Sequence, residues 1–294
     1  MRCSSVAARS PSIASDNPPS HPRALLAARG LRPKKRYGQN FLMDGAAARR
    51  IAQLALADAP SHTRVLEIGA GTGSLTRALL DEGAEVTALE VDPDLVAIVR
   101  ERVDLANARI ESADALAYDY AAYAAHGPWR VAGNLPYNIA TPLLLRLIDM
   151  DDGPQSMTVM VQRDVADRLA ARASTPAYGS LTIAVQYAMR VERAFTLGPR
   201  AFYPPPNVDS TVVRLVRRDE PVVALKDVGW FGKVVRAAFA YRRKTLANSL
   251  HLALALERAT IAQALVQCHL APECRGEQLE IHDFARLADA LAAE

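Results

Sequence analysis

Short strand patterns alternate with helical patterns from about residue 45, and this alternation constrains the fold more than any other feature of the chain. Strands are predicted at 64–68, 85–89, 109–110, 129–132 and 157–161. Helices are predicted at 46–56, 76–81 and from 92 onward, where an Asp-Pro pair supplies N-cap and first-turn chemistry. Because strands separated by helices form right-handed crossovers, the chain is predicted to be α/β: a mainly parallel, Rossmann-like sheet with helices on both faces.

The pattern changes after about residue 218. Residues 211–216 alternate well enough for one last, antiparallel strand, and 181–187 fit a helix or a strand equally. Beyond the acidic, proline-containing stretch 219–221 only helices are predicted, at 228–240, 245–257, 260–267 and 282–293. The predicted organisation is a disordered tail at 1–22, a Rossmann-like domain at 23–218 and a small all-helical domain at 219–294.

Composition is ordinary for a soluble globular protein. Half of the 294 residues are hydrophobic and 23% are charged. No apolar stretch approaches the roughly 20 residues that span a bilayer, so no membrane partner is expected. The net charge of +3 is small, but basic residues cluster at 29–36 and again at 236–244. Such clusters are typical either of phosphate contacts or of solvated faces.

The three cysteines indicate a reducing compartment, because they are odd in number and form no CxxC pair. Cys268, His269, Cys274 and His282 have the chemistry of zinc ligands, but their spacing matches no usual finger, and no metal is predicted. The Ser-, Pro-, Ala- and Arg-rich tail has the composition of a transit peptide, of a disordered tail, or of residues added by a start codon placed too far upstream. The last two interpretations are favoured.

A glycine-rich loop at 67–76 follows the first strand and opens a helix. Glycines let the backbone turn tightly and let a ligand approach, and ligands of open α/β sheets bind beyond the carboxyl ends of the strands. Alone, a GxGxG loop fits several nucleotide ligands. Here it lacks the GxGxxG spacing that seats a pyrophosphate on a helix N-terminus. Glu67, just before the loop, would repel a pyrophosphate but suits a cationic sulfonium.

Two further acids extend this crevice. Glu90 ends the second strand, where its carboxylate can accept hydrogen bonds from both ribose hydroxyls. Asp114 ends the third strand, where it can accept from an adenine amino group. The residues predicted to line one crevice are Glu67, Gly69, Gly71, Glu90, Asp114 and Asn134. Acids in this order predict a methyltransferase site for S-adenosylmethionine.

The four residues Asn134-Leu135-Pro136-Tyr137 follow the fourth strand and precede a helical pattern. An amino group on a nucleobase is a poor nucleophile, because its lone pair is delocalised into the ring. A site that alkylates it needs acceptors for the amine, which the Asn134 oxygen and the Leu135 carbonyl can supply, and a stacking face, which Tyr137 can supply. A strand-to-helix turn with Tyr137 in the core is the other interpretation, and the donor crevice upstream favours the first.

With these motifs the chain resembles a specific family, the KsgA/RsmA-type 16S ribosomal RNA adenine dimethyltransferases. The resemblance extends over about residues 31–294. Beside the glycine loop, it is carried by the segments 35–42, 134–142, 178–181, 202–210 and 242–246. Two positions depart from the family pattern: Ala140 stands where Ser is common, and Ala247 where another basic residue is common.

The resemblance implies transfer of two methyl groups to N6 of each of two adjacent adenosines in the hairpin near the 3′ end of small-subunit rRNA, with a role in small-subunit biogenesis. By similarity the donor contacts are Asn40, Leu42, Gly69, Glu90, Asp114 and Asn134. Asn134 would also reach the target amine. A flipped adenine would stack on Tyr137, with Phe202 either as a second wall or as plain core.

In this setting the basic clusters are predicted to hold RNA phosphates rather than to read bases. The residues concerned are Lys34, Lys35, Arg36, Arg242, Arg243 and Lys244. The expected partner is small-subunit rRNA in the immature 30S subunit, and the enzyme is expected to be a cytoplasmic monomer.

Three other functions are considered. A 23S rRNA adenine methyltransferase of the antibiotic-resistance type would share the fold and donor site, but its acceptor motif usually differs near Leu135, and it is not expected to carry the segments at 178–179 and 204. A non-catalytic assembly factor would not need an intact pocket. A nicotinamide oxidoreductase would need the pyrophosphate spacing that the glycine loop lacks.

Overall fold

A computed structural model describes residues 21–103 and 106–292, which divide into two units, one up to Arg32 and one from Pro33 onward. The described part of the first unit contains helix α1 (Pro22–Ala28), where His21 caps the N-terminus by accepting from the Arg23 backbone N–H at 3.2 Å. Residues 1–20 of the predicted tail lie outside the described residues.

The second unit is built on a seven-stranded sheet and a two-stranded sheet. In chain order the strands are β1 (Phe41–Leu42), β2 (Arg64–Ile68), β3 (Glu85–Glu90), β4 (Ala108–Ser112), β5 (Arg130–Asn134), β6 (Ser156–Gln162), β7 (Met189–Leu197), β8 (Phe202–Tyr203) and β9 (Ser210–Arg217). The large sheet has the order β4-β3-β2-β5-β6-β9-β7, and β1 pairs with β8. The five neighbouring strands β4, β3, β2, β5 and β6 are parallel to one another. Strand β9 runs antiparallel to both of its neighbours, β6 and β7.

Helices connect these strands and then continue alone. They are α2 (Gly45–Ala55), α3 (Ser74–Asp81), α4 (Pro93–Arg102), α5 (Tyr120–Ala124), α6 (Ala140–Ile148), α7 (Arg163–Leu169), α8 (Ser180–Ala188), α9 (Val228–Phe239), α10 (Leu246–Leu254), α11 (Arg258–Gln267) and α12 (Ile281–Leu291).

The large sheet is covered on both faces, because successive side chains of a strand point to opposite sides. On β2, Val65 belongs to the core shared with α2, α3 and α4, whereas Leu66 belongs to the core shared with α5 to α8. Strands buried on both faces read as apolar runs, which explains the sequence patterns of β2, β3, β5 and β6. Strand β4 lies at an edge of the sheet, and Ile110 is its one buried residue. The predicted fold class, a mainly parallel sheet with helices on both faces and a helical C-terminal region, is confirmed.

Two details differ from the expectations, and one open alternative is decided. Strand β7 was not predicted, because it is an edge strand with charged residues and a bulge between Arg193 and Phe195. Residues 181–187, which fitted a helix or a strand, form α8. The helix predicted at 245–257 ends at Leu254, because Ala255 adopts a left-handed conformation with φ 55°.

The four C-terminal helices share their own apolar core. Phe231, Leu250, Leu265 and Phe284 are buried together there, and Ile183 of α8 joins them. The Tyr178 hydroxyl donates to the Leu279 carbonyl at 2.8 Å, so the segment before α8 is bonded to the helical region. The division at residues 218 and 219 into two domains stays a prediction.

The order of the strands reverses between β2 and β5, which are parallel neighbours. In such sheets the connections on the two sides of this point leave in opposite directions and open a crevice at the carboxyl ends. The backbones approach closely here: a Cβ on Gly133 would lie 2.7 Å from the carbonyl oxygen of Ile68. Residue 133 therefore has to be glycine for β5 to present Asn134 beside β2.

We expect Gly133→Ala to lower the free energy of unfolding by about 1–3 kcal/mol, the usual effect of forcing extra volume into a packed site. Gly45→Ala is the control, since its new Cβ would meet only the flexible end of Arg49 at 4.0 Å. Chemical denaturation of both variants measures the difference. Equal stability of Gly133→Ala and the parent chain would contradict the close approach of the two strands.

Candidate active site

One cavity at the carboxyl ends of the parallel strands brings the predicted donor and acceptor residues together. It is lined by Asn40, Leu42, Glu67, Gly69, Gly71, Glu90, Asp114, Asn134, Leu135, Pro136 and Tyr137. These residues come from five separate parts of the chain: the segment around β1, the loop after β2, the end of β3, the end of β4, and the turn after β5.

The glycine loop has the left-handed backbone that its sequence indicates. Gly71 has φ 58°, a conformation that side chains with a Cβ rarely adopt, and a Cβ there would lie 3.3 Å from the Phe41 ring. The loop is fastened to β3, because the backbone N–H groups of Gly69 and Ala70 both donate to the Leu89 carbonyl. The loop therefore follows the end of β3 closely, and Gly71 has no side chain that would crowd Phe41.

Glu90 is held in a fixed orientation at the end of β3. One carboxylate oxygen accepts from the Gly71 backbone N–H and the other from the Asp92 backbone N–H, each at 2.9 Å. Burial raises the pKa of this carboxyl, while the two backbone hydrogen bonds favour its charged form. Asp114 lies at the exposed side of the cavity, where its Oδ1 accepts from the Leu116 backbone N–H at 2.8 Å, which leaves Oδ2 for a ligand.

Glu67 is the least satisfied polar group of the cavity. Its side chain is 1% exposed, and neither carboxylate oxygen has a hydrogen-bond partner within the described residues. Burial raises the pKa of this carboxyl to about 8. The nearby hydroxyl and backbone N–H of Thr76 oppose this rise, and the charge of Glu90 adds to it. An unpaired buried carboxyl is costly unless a ligand meets it, so Glu67 fits a donor that carries positive charge.

Asn134 joins the donor part of the cavity to the acceptor motif. Its Nδ2 donates to the Asn40 backbone carbonyl at 2.8 Å, so Oδ1 is the atom left to accept from another group. The Pro136 carbonyl accepts from the backbone N–H groups of Ile139 and Ala140, so the motif leads directly into helix α6. The Tyr137 ring is half-buried, and a hydrogen bond of 3.0 Å between its hydroxyl and that of Ser210 fixes its position.

Phe202 is not brought to the cavity. Its ring is 2% exposed and belongs to the core between the sheet and α2, because the pairing of β1 with β8 sets Phe202 opposite Leu42. The interpretation of Phe202 as plain core describes its present position, whereas a second wall for a base would require the ring to leave that core.

The predicted RNA contacts divide into two groups. Lys35, Arg36, Arg242, Arg243 and Lys244 are exposed. Lys34 differs, because its ammonium lies 2.7 Å from carboxylate oxygens of both Asp92 and Asp94.

Several functional candidates were missed by sequence reasoning. Arg275 joins Arg242 and Arg243 around a recess of about 350 Å³ that Ser174 and Thr175 also line. Gln39 and Asp92 lie beside the donor cavity and bond to each other at 2.9 Å. Gln39 belongs to a segment that was recognised, and Asp92 was identified as a helix cap, but no local pattern connects the two.

No group of three or more His, Cys, Asp or Glu side chains is arranged to hold a metal ion in residues 21–103 and 106–292. Within the same ranges, no helix has the length and apolar character needed to cross a membrane.

A family model for ribosomal RNA adenine dimethylase matches residues 30–293. The chain belongs to this family. Its similar proteins include ribosomal RNA small subunit methyltransferase A of Lactococcus lactis subsp. lactis (strain IL1403), which is 43% identical over 265 residues covering 88% of this chain and 90% of that protein. The protein of the same name in Streptococcus sanguinis (strain SK36) is 42% identical over 281 residues, which cover 92% of this chain and 96% of that protein.

Solved structures give the same fold. A dimethyladenosine transferase from Plasmodium falciparum superposes with a TM-score of 0.69 at 24% identity, covering 84% of this chain and 95% of the other. The 23S rRNA methyltransferase ErmE superposes with a TM-score of 0.64 at 27% identity, covering 86% of this chain and 100% of the other. The predicted family, the S-adenosylmethionine-dependent chemistry and the activity of an rRNA adenine dimethyltransferase are confirmed.

The protonation of Glu67 provides a test of its role. With a pKa of about 8, this carboxyl is mostly protonated at pH 7, and a cation beside it favours the carboxylate. We expect donor binding at pH 7 to release up to about one proton, measured by calorimetry in buffers of different ionisation enthalpy. Glu67→Gln is expected to remove this release, and equal proton release from both proteins would contradict the assignment.

The same carboxyl affects stability in a direction that follows from its raised pKa. It binds its proton more tightly in the folded than in the unfolded chain, so its contribution to stability is complete below about pH 4.5 and is lost as the pH rises through about 8. Without donor, Glu67→Gln should therefore gain stability relative to the parent chain between these pH values, as measured by thermal unfolding.

Proposed function

We propose that the chain transfers methyl groups from S-adenosylmethionine to N6 of two adjacent adenosines in the 3′-terminal hairpin of small-subunit rRNA, giving N6,N6-dimethyladenosines. The observation that carries this proposal is the position of Asn134, which lines the donor cavity and begins the acceptor motif. Two relatives at 42–43% identity are named ribosomal RNA small subunit methyltransferase A. This name supports small-subunit rRNA as the substrate.

The donor would be held by groups that match its parts. When bound, S-adenosylmethionine supplies a methyl group made electrophilic by a positively charged sulfur. Glu90, whose carboxylate is oriented by two backbone N–H groups, would accept from the ribose hydroxyls. Asp114 would accept from the adenine amino group, and Glu67 would face the positive charge of the methionine part.

The acceptor residues would activate the target amine by geometry rather than by removing a proton first. Asn134 Oδ1 and the Leu135 carbonyl would accept the two N6 hydrogens, which turns the nitrogen lone pair away from the ring. The Tyr137 ring, positioned by Ser210, would stack on the flipped base. Catalysis would then consist mainly of positioning and electrostatic stabilisation, and no general base is required because the proton can leave after transfer.

The RNA itself would be held at some distance from this pocket. Arg242, Arg243 and Arg275 surround one recess, and three guanidinium groups suit a phosphate of the backbone. The Glu277 carboxylate also lines this recess, 3.9 Å from Arg275, and offsets part of its positive charge. Lys35 and Arg36 offer a second set of exposed cations near the cavity. We propose that a monomeric enzyme binds the immature small subunit in the cytoplasm through these surfaces.

The proposal is tested by incubating the protein with labelled donor and unmethylated small subunits, followed by mass analysis of RNA fragments. The expected product is a pair of dimethyladenosines near the 3′ end. Parallel reactions contain large subunits. Label in 23S rRNA alone would support the antibiotic-resistance type of methyltransferase instead, and absence of label from both RNAs would reject the proposal.

Asn134→Ala should lower kcat by about 100-fold or more, the effect of removing one preorganised polar group from a site of this kind. The affinity for small subunits should stay close to that of the parent chain, because Asn134 carries no charge and is not one of the proposed phosphate contacts. Asn138→Ala is the matched control, since Asn138 is exposed and does not line the cavity. Full methylation by Asn134→Ala would contradict the assignment.

The phosphate contacts are tested by salt dependence. Arg242→Ala and Arg275→Ala should each weaken binding to small subunits and reduce the slope of log affinity against log salt by about 1, because one phosphate contact is lost. Lys226→Ala is the control, since Lys226 is exposed and pairs with Asp289 at 3.8 Å. A parent-like slope for Arg275→Ala would show that the recess is no phosphate site.

A further inference from the structure

Lys34 forms two ion pairs beside the donor cavity. Its ammonium lies 2.7 Å from Asp92 Oδ1 and 2.7 Å from Asp94 Oδ2. The Asp92 side chain is only 2% exposed, whereas Asp94 is 47% exposed and Lys34 is 29% exposed. The pair with Asp92 is therefore protected from solvent on one side, and the pair with Asp94 is open to screening by salt.

Gln39 completes this arrangement from the same segment of the chain. Its Nε2 donates to Asp92 Oδ2 at 2.9 Å, and its Oε1 accepts from the Lys34 backbone N–H at 2.7 Å. Both oxygens of Asp92 are thus bonded to the segment 34–39. Although burial opposes it, the hydrogen bonds from Lys34 and Gln39 hold the pKa of Asp92 below its ordinary value, so this carboxyl stays charged.

Asp92 connects the segment to a predicted donor contact. Its backbone N–H donates to Glu90 Oε1 at 2.9 Å, two residues earlier at the end of β3. The position of Asp92 therefore affects the orientation of the Glu90 carboxylate. Lys34, Gln39, Asp92 and Glu90 form one continuous path of hydrogen bonds from the start of the segment to the cavity wall.

The other end of the segment is fastened across the cavity. The Asn40 backbone carbonyl accepts from Asn134 Nδ2 at 2.8 Å, and β1 pairs with β8 immediately afterwards. Residues 37–42 all line the cavity between these two attachments. The segment is therefore held at both of its ends, by Asp92 and Asp94 on one side and by Asn134 and β8 on the other.

We propose that Lys34 is a positioning residue for donor binding, which holds the segment 34–42 over the cavity through Asp92 and Asp94, and that it is not a contact for RNA phosphate. This inference rests on the donor site proposed above. It separates Lys34 from its neighbour Lys35, which is exposed and keeps its predicted RNA role.

The two lysines make a matched pair for the experiment. In the full-length protein, Lys34→Ala should raise the donor Kd, measured by calorimetry, by about tenfold, because a charged hydrogen bond to buried Asp92 is lost. The donor KM should rise in proportion, while kcat at saturating donor and the affinity for small subunits stay unchanged. Lys35→Ala should do the reverse, weakening subunit binding and reducing its salt slope by about 1 without changing the donor Kd. Lys34→Arg should recover most of the donor affinity.

Asp94→Asn supplies a second measurement in which the two roles of Lys34 predict opposite results. Asp94 does not line the cavity, and removing its charge frees Lys34 in part. If Lys34 holds the segment, donor binding weakens by about twofold to fivefold and subunit binding is unchanged, as expected for one partly exposed ion pair. If Lys34 contacts RNA, subunit binding strengthens instead and donor binding is unchanged, which overturns the proposal.

Two controls keep the interpretation clear. Thermal unfolding without donor identifies any general loss of stability, and should one variant fail to fold, the decision rests on Asp94→Asn and Lys34→Arg. Glu90→Ala tests the underlying site: parent-like donor binding by this variant would reject the donor site itself. If Glu90→Ala loses donor binding while Lys34→Ala and Asp94→Asn bind donor like the parent chain, the donor site stands and the role of Lys34 is rejected.

Discussion

The parallel pairing of β2 with β5 is the constraint on which the rest of the site depends. The loop after β2 carries the glycines and the turn after β5 carries the acceptor motif, so this single pairing sets the distance between donor and acceptor groups. The pairing is possible only because residue 133 lacks a side chain where the Ile68 carbonyl approaches. The same pair of strands therefore stabilises the sheet and positions the groups of the site.

The remaining walls of the cavity are held by polar contacts over long separations in sequence. Asn134 bonds to the Asn40 carbonyl, and Lys34 and Gln39 bond to Asp92. Each of these contacts joins the segment 34–40, which lies outside the large sheet, to a residue at or just after the end of a strand. The apolar core fixes the carboxyl ends of the strands, and hydrogen bonds made by a segment outside the sheet close the cavity over them.

The sequence was sufficient for the elements whose patterns are local. Strands β2, β3, β5 and β6 are largely apolar because both of their faces are buried. Each predicted donor acid was recognisable because it lies at or next to the end of a strand. Strand β7 was missed because its exposed edge carries charges, and β1 and β8 have only two residues each. The burial of Phe202 and the ion pairs of Lys34 depend on partners far away in the chain, so no local periodicity could indicate them. Closeness in sequence also does not show which partners a basic side chain has in the folded chain. Lys34 pairs with aspartates, and Arg275 lines the same recess as Arg242.

The unpaired carboxyl of Glu67 has a consequence for repeated turnover. Dimethylation of two adenosines takes four transfers, so the spent donor has to be exchanged between them. On the proposed donor site, transfer would leave a neutral sulfur, so that only the ammonium of the methionine part would still attract the buried carboxylate. Because burial raises the pKa of Glu67 to about 8, this weaker attraction would act on a carboxyl that takes up a proton readily. Glu67 would thereby favour the charged donor over its spent form by charge rather than by shape.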